Sequence, residues 1–273
     1  MSRAFRFGVI ATPTTGAQQW RSTAQRAAEL GYSTLLMPDV VRLPAPGPAL
    51  ALAAAAADIR VGTWVYAAPL RPPRMTAWEA HTLSVLTDGR FEMGIGAGRP
   101  GMEAELAELQ MPFGSAAERL ASVSATIDAL RELDGADRRT PVLVAAGGPK
   151  ARTLAAQKAD MVTLAVGPLT PRAEVAELAA DLRARAAGRA DEIELVANLV
   201  AVGDDLPPRI ERTIGADPAA LRASDSLSLV PGDPAALVDE LQRRREQIGT
   251  SYVAVNAQFM EALAVAVEAL TGR

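Results

Sequence analysis

The sequence predicts a (β/α)8 barrel, the TIM-barrel class of α/β fold. Three observations lead there. Short apolar, β-branched runs alternate with helix-period runs through all 273 residues, and eight strands and eight helical stretches can be counted. No other type of element intervenes. Residues 60–98 also read as strand, tight bend, helix, strand, a βαβ unit whose right-handed crossover implies a parallel sheet. A doubly wound sheet is the alternative. It usually places a Gly-rich turn after the first strand, where this chain has Ala11-Thr12-Pro13. No linker or shift of composition divides the chain, so residues 1–273 are read as one barrel domain.

Each element has a local reason. Phe5–Ile10 is a short apolar strand, and a helix follows over Ala17–Leu30 with Gly31 as its stop. Thr34–Pro38 is the second strand, with Asp39 at its tip, and Pro48–Ala57 its short helix. Arg60–Tyr66 is too short and too β-branched for a helix and is closed by the prolines of 69–73. Arg74–Thr87 has helical spacing and stops at Asp88-Gly89, and Arg90–Gly98 returns as a strand. Residues 99–112 read as a long loop with a helical turn. Ser115 and Glu118 form a capping-box pattern opening a helix to Leu133. Pro141–Ala146, Met161–Val166, Ile193–Val202 and Tyr252–Asn256 are the remaining strands. Helices are read over Lys150–Lys158, Pro171–Ala187, Asp233–Ile248 and Glu261–Leu270, and two short pieces within Pro207–Ala223 break at Gly215 and Pro218.

The totals remove whole classes of function. There are 28 Lys+Arg against 32 Asp+Glu, a net charge of −4, and the basic residues are scattered, so no nucleic-acid footprint is expected. The first residues lack the apolar core of a signal peptide, and Ala49–Ala57 is far short of a membrane span, so neither secretion nor a membrane partner is expected. With no cysteine and a single histidine, His81, there is no thiol nucleophile, disulfide framework, His-based triad or multi-His metal site to expect, and the default location is cytoplasmic.

In a barrel the ligand site lies past the C-terminal ends of the strands. The candidates are Thr12, Asp39, Val40, Trp64 to Tyr66, Ala97 to Arg99, Ala145 to Gly148, Val166, Gly203 and Asn256. The strongest physical signal is Ala145-Ala146-Gly147-Gly148-Pro149-Lys150, where a strand runs through two glycines into a helix. Backbone amides and the helix dipole favour an anion there by about 0.3–1 kcal/mol, and Lys150 and Arg152 add charge. A tight βα turn with no ligand is the other reading. Gly94, Gly96 and Gly98 either let a flat ring lie against the strand end or relieve crowding inside the barrel. Asp39 is a ligand contact or a helix N-cap, Arg99 an anion contact or a rim salt bridge, and His81, mid-helix, is structural or at an interface.

Four segments, Thr34–Asp39, Arg60–Val65, Thr82–Gly98 and Val144–Pro149, together resemble the bacterial luciferase-like flavin and deazaflavin oxidoreductases. The likeness covers nearly the whole chain, including Gly249–Val255, and Thr82–Gly98 is its specific part. The resemblance implies a barrel, often a homodimer, acting on a small-molecule substrate with FMN as a monooxygenase or with coenzyme F420 as a hydride-transfer enzyme. Ala145–Pro149 is similar to the loop that holds the F420 phosphate, which places the chain nearest that branch, with FMN as the alternative cofactor.

By the same resemblance Asp39, Trp64, Val65, Ala97, Gly98, Ala145, Ala146, Gly147, Gly148 and Lys150 are expected to hold the cofactor. Asp39, Tyr66 and Arg99 are expected to serve catalysis, the last two by orienting substrate, and a cis peptide is expected between Trp64 and Val65. Two positions depart from the family pattern: Val40 stands where many F420 enzymes have histidine, and Arg99 where an acid is common. The segment from Leu133 to Pro141 is also short. Rival readings are a barrel without cofactor that binds a partner, and an isomerase or lyase of a phosphorylated metabolite.

Overall fold

In the computed structural model residues 3–273 are described; Met1 and Ser2, which begin the N-terminal segment read above, lie outside them. The strands are β1 (Arg6–Ile10), β2 (Thr34–Met37), β3 (Arg60–Thr63), β4 (Tyr66–Ala67), β5 (Phe91–Gly96), β6 (Val142–Ala146), β7 (Met161–Leu164), β8 (Glu194–Leu199), β9 (Ala201–Val202), β10 (Leu229–Val230) and β11 (Thr250–Asn256). One sheet runs β3-β2-β1-β11-β8-β7-β6-β5-β4, and β3 also pairs with β5, which closes it. Because β3 and β4 are two halves of one stave, this is a closed parallel barrel of eight staves, as the βα alternation predicts.

The helices are α1 (Ala17–Glu29), α2 (Pro46–Ala56), α3 (Pro73–Leu86), α4 (Met102–Glu108), α5 (Ala116–Asp134), α6 (Pro149–Lys158), α7 (Arg172–Ala186), α8 (Pro208–Ile214), α9 (Pro218–Ala223), α10 (Pro234–Ile248) and α11 (Met260–Leu270). The Ser115 capping box is formed: its hydroxyl accepts from the Glu118 N–H at 3.2 Å, and the Glu118 carboxylate accepts from the Ser115 N–H at 2.7 Å. Glu118 is thereby held below the usual carboxylate range, the backbone hydrogen bond being the main cause.

Three expectations need correction. Residues 99–112 hold a full helix, α4, because Met102 and Leu106 are buried against Ala67 in a small separate cluster. The expected strand Ile193–Val202 is two strands. After Leu199 the N–H groups of Val200 and Ala201 both donate to the Ser228 carbonyl, and β9 leaves the barrel to pair with β10, whose two residues are too few to show a period. The expected strand Arg60–Tyr66 is interrupted at Trp64–Val65, where the peptide is cis.

That interruption is a bulge. Gly62 pairs with Glu92 and Tyr66 with Ile95, so four steps along the first strand face three along the second. One extra residue reverses which face every later side chain takes. It also explains the glycines opposite. A Cβ on Gly94 would overlap the Thr63 carbonyl oxygen and approach Val65 Cγ1 to 2.9 Å, and one on Gly96 would come within 3.1 Å of Val65 Cγ2. Of the two readings for these glycines, crowding inside the barrel holds at Gly94 and Gly96.

Inside the barrel, Leu36, Leu143, Met161, Val196, Tyr252 and Ala254 pack together, with Trp64, Val65 and Ile10 partly buried above them. Below lies a floor of charge. Arg6 donates to Glu194 at 2.8–3.1 Å and to Glu92 at 2.7 Å, Arg60 donates to Glu92 at 2.8 Å, and the Arg6 guanidinium lies 3.7 Å over the Tyr252 ring. Burial, with Glu92 nearby, pushes the Tyr252 hydroxyl above its ordinary range, so it stays protonated. His81 is structural: its Nδ1 lies 3.0 Å from Asp134, which also accepts from the Thr140 N–H and so ties α3 to α5 and its following loop.

Candidate active site

Trp64 and Val65 reach the barrel mouth because the bulge turns them inward, and they share a cavity of about 240 Å³ with Ala145 of β6. At the end of β6 the chain turns through Gly147 and Gly148 into α6. Gly148 is the N-cap of that helix, no side chain caps it, and Pro149 occupies its first turn. The first-turn N–H groups therefore have no intrahelical acceptor and are left free to donate. A Cβ on Gly148 would meet nothing within 4 Å, whereas one on Gly147 would lie 3.2 Å from the Ala165 carbonyl. The open side of the turn is thus at Gly148.

Lys150 is exposed beside this turn. Arg152 is buried: its Nε donates to Asp181 at 2.6 Å and another N–H donates to the Gly147 carbonyl. It braces the turn from behind, and of the two expected cations only Lys150 faces solvent. Ala146 points into the helix layer, so only its backbone faces the site.

Asp39 and Tyr66 are brought together, though away from the mouth interior. Asp39 is not a helix N-cap, since the N-cap of α2 is Ala45. Its carboxylate accepts from Arg71 at 3.0 and 3.1 Å and from the Ala67 N–H at 3.2 Å. Arg71 also donates to Glu79 at 2.9 Å, and Glu79 accepts the Tyr66 hydroxyl at 2.8 Å. Burial, reinforced by Glu79, pushes the Tyr66 phenol well above its ordinary value. The expected substrate-orienting role of Tyr66 is corrected: the bulge turns its ring to the outer face, where it is fully buried. Asp39, Arg71, Glu79 and Tyr66 form a clamp that fixes the chain just past Trp64–Val65.

Arg99 lies at the rim, half-exposed, and pairs with Glu105 of α4. That is the rim salt bridge among its two expected roles, and it returns a carboxylate to a loop where Arg99 stands in the place of an acid. One Glu105 oxygen is buried without a hydrogen-bond partner among the described residues. Gly98 has φ +88 and is exposed, although a Cβ added to it would come within 3.1–3.4 Å of Pro69, Met102 and Phe113, while the Ala97 carbonyl accepts from Arg119 at 2.8 Å. Both serve the turn into α4. Arg71, Glu79 and Glu105 are missing from the sequence reading, and the proline-rich stretch around Arg71 gave no periodic signal to find it by. Among the described residues no group of three or more His, Asp or Glu side chains is placed to hold a metal ion, and no helix is long and apolar enough to cross a membrane.

The sequence profile of the luciferase-like monooxygenase family matches residues 4–247. The chain belongs to that family. Its members are oxidoreductases, and solved structures with the same fold are consistent with the assignment. A coenzyme F420-dependent tetrahydromethanopterin reductase from Methanopyrus kandleri superposes with TM-score 0.72 at 17% identity, covering 98% of each chain. An F420-dependent secondary alcohol dehydrogenase, solved with an F420–acetone adduct, gives 0.75 at 14%, covering 96% of this chain and 99% of that one. A long-chain alkane monooxygenase gives 0.71 at 13%, covering 98% and 92%. No curated relative matches the chain in sequence.

Proposed function

We propose that this family member is an F420-dependent oxidoreductase that transfers hydride to or from a small organic substrate, with FMN as the alternative cofactor. The observation that carries the reading is the uncapped start of α6 at Gly148, open on its outer side, at the same barrel mouth as the Trp64–Val65 bulge. A flavin or deazaflavin with a phosphate in its tail needs both, an anion cradle for the phosphate and an apolar backstop for the ring. The Gly148 and following amides with Lys150 would hold the phosphate, and Trp64, Val65 and Ala145 would face the ring. When bound, the deazaflavin supplies a ring carbon that gives or accepts hydride.

The protein groups then act by position. The Asp39–Arg71–Glu79–Tyr66 clamp holds the bulge in place, and the apolar mouth excludes water. Alignment of the reacting atoms is worth up to about 7–11 kcal/mol of the barrier. Val40 removes the imidazole that many F420 enzymes place here, so the chain relies on proximity more than on a proton donor. The same reading carries a homodimer. Trp78 and Leu86 on α3 are 59% and 69% exposed, with Leu133 of α5 exposed beside them, an apolar face that a second copy would cover. A sedimenting species of one-chain mass at micromolar concentration removes that part.

The test is titration of the purified chain with F420 and with FMN, followed by hydride transfer from reduced F420 to activated alkenes or imines. Gly148→Asp sharpens it. Aspartate is a good N-cap, so the melting temperature should hold or rise, while its charge meets the phosphate and cofactor affinity should fall at least tenfold. A wild type that binds neither cofactor at several hundred micromolar ends the enzyme reading in favour of the partner-binding barrel.

A further inference from the structure

The β7–β8 ladder ends beside the barrel mouth. β7 and β8 pair at Met161↔Glu194, Val162↔Leu195 and Thr163↔Val196, and the described ladder ends there. Beyond that point β8 stays with β11, Ala197 opposite Val253 and Asn198 opposite Ala254, while the Ala165 N–H donates to the Ala146 carbonyl at the end of β6. The two strand ends follow different neighbours, and a gap opens between them. The 240 Å³ cavity reaches both sides of this gap, touching Thr163 and Asn198 on the inner side and Leu164, Ala197 and Val175 of α7 on the outer.

None of the cavity's sixteen lining residues carries a charge, and its polar side chains are the neutral Thr163, Asn198, Ser228 and Thr250 with the Trp64 indole. An ionised ligand would enter without a counter-charge, which is unfavourable against so apolar a lining. Hydroxyls and one amide are enough to orient a carbonyl, hydroxyl or imine. The volume lies below the roughly 300–1,000 Å³ of sites for drug-sized ligands, so the group seated there is small. Val166, 38% exposed on the segment after β7, adds an apolar side chain to the lining.

We propose that the gap between β7 and β8 is a side port that seats an uncharged, predominantly apolar substrate next to the cofactor ring, an assignment of substrate class that rests on the oxidoreductase reading. The probe is the neutral fluorophore N-phenyl-1-naphthylamine, titrated into the full chain beside F420 and FMN. Saturable binding is expected, at least tenfold weaker in Ala197→Trp, with cofactor affinity within twofold of wild type. Val175→Phe gives the same loss from the helix side, should the first variant melt early. An anionic naphthalene sulfonate should bind at least tenfold more weakly than the neutral probe. Absence of saturable binding, unchanged probe affinity in both folded variants, or displacement of the probe by cofactor overturns the port. Port-dependent probe binding in a chain that holds neither cofactor overturns the oxidoreductase reading and leaves the port standing.

Discussion

Gly94, inside β5, and Gly148, at the start of α6, show how differently two glycines can be constrained. At Gly94 the obstacle is backbone: the Thr63 carbonyl occupies the place a Cβ would take, and the Thr63 hydroxyl binds both the Gly94 N–H and its carbonyl, at 2.9 and 2.7 Å. Backbone on both sides cannot swing away as a side chain can. Gly94→Ala should therefore destabilise the fold by at least about 1–3 kcal/mol, the cost of overpacking a tight interior, as read by urea denaturation. Gly148→Ala should change it by less than about 1 kcal/mol, because only the poorer N-cap is at issue. Equal losses would show that the bulge is not what Gly94 accommodates. The sequence shows both glycines but not this difference, since the obstacle at Gly94 lies thirty-one residues away across the sheet. Tyr66 was misplaced for a related reason: its face depends on one extra residue in a bulge that no local pattern announces.

At the scale of elements, the strand-to-helix turn at the phosphate candidate is braced by a link between α6 and α7. Asp181 of α7 accepts from Arg152 at 2.6 Å and from Arg185 at 2.8 Å, and Arg152 in turn holds the Gly147 carbonyl. Hydrogen bonds from Arg185 and then Arg152 hold the Asp181 carboxyl at about 2, below its ordinary 3.8. A carboxyl lowered in the folded state adds stability above its unfolded value and loses it as pH falls through the folded one. The link should thus be intact above pH 4 and weaken between about pH 4 and pH 2. The protection factors of the α6 amides, which remove the pH dependence of intrinsic exchange, should fall as pH drops across that window in the wild type, and Asp181→Asn should show lowered protection already at pH 6 with little further change. A flat wild-type profile would remove Asp181 as the brace. The helices themselves were legible, because capping and breaker residues mark them locally. The ion pair was not, because its partners lie on neighbouring helices whose packing only the closed barrel sets.

Across the whole molecule the barrel separates stability from chemistry along its axis. The alternation of apolar runs and helices was enough to read eight staves, and the rule that ligands meet the C-terminal strand ends pointed to Trp64 and Ala145, which line the cavity, and to Gly148, the N-cap of α6. The opposite end was silent in the sequence. Arg6, Arg60, Glu92 and Glu194 come from four separate strands, and each alone looks like an ordinary charge at a strand start. In the fold they form the floor, with the Glu92 and Glu194 side chains only 5% and 9% exposed. Glu92 is its centre, because it alone joins Arg6 to Arg60. Removing one partner of a buried pair leaves uncompensated charge and costs about 3–5 kcal/mol, far more than the net worth of the pair. Glu92→Gln keeps the shape and one acceptor while removing the charge that faces both guanidinium groups. It should lower stability to denaturant by an amount toward that range. The floor and the mouth lie at opposite ends of the barrel, with the Leu36–Tyr252 layer between them. Cofactor affinity measured well below the melting temperature should therefore stay within twofold of wild type. A Glu92→Gln protein that keeps its stability, or one that loses cofactor affinity while fully folded, would show that the two ends are coupled through the barrel interior.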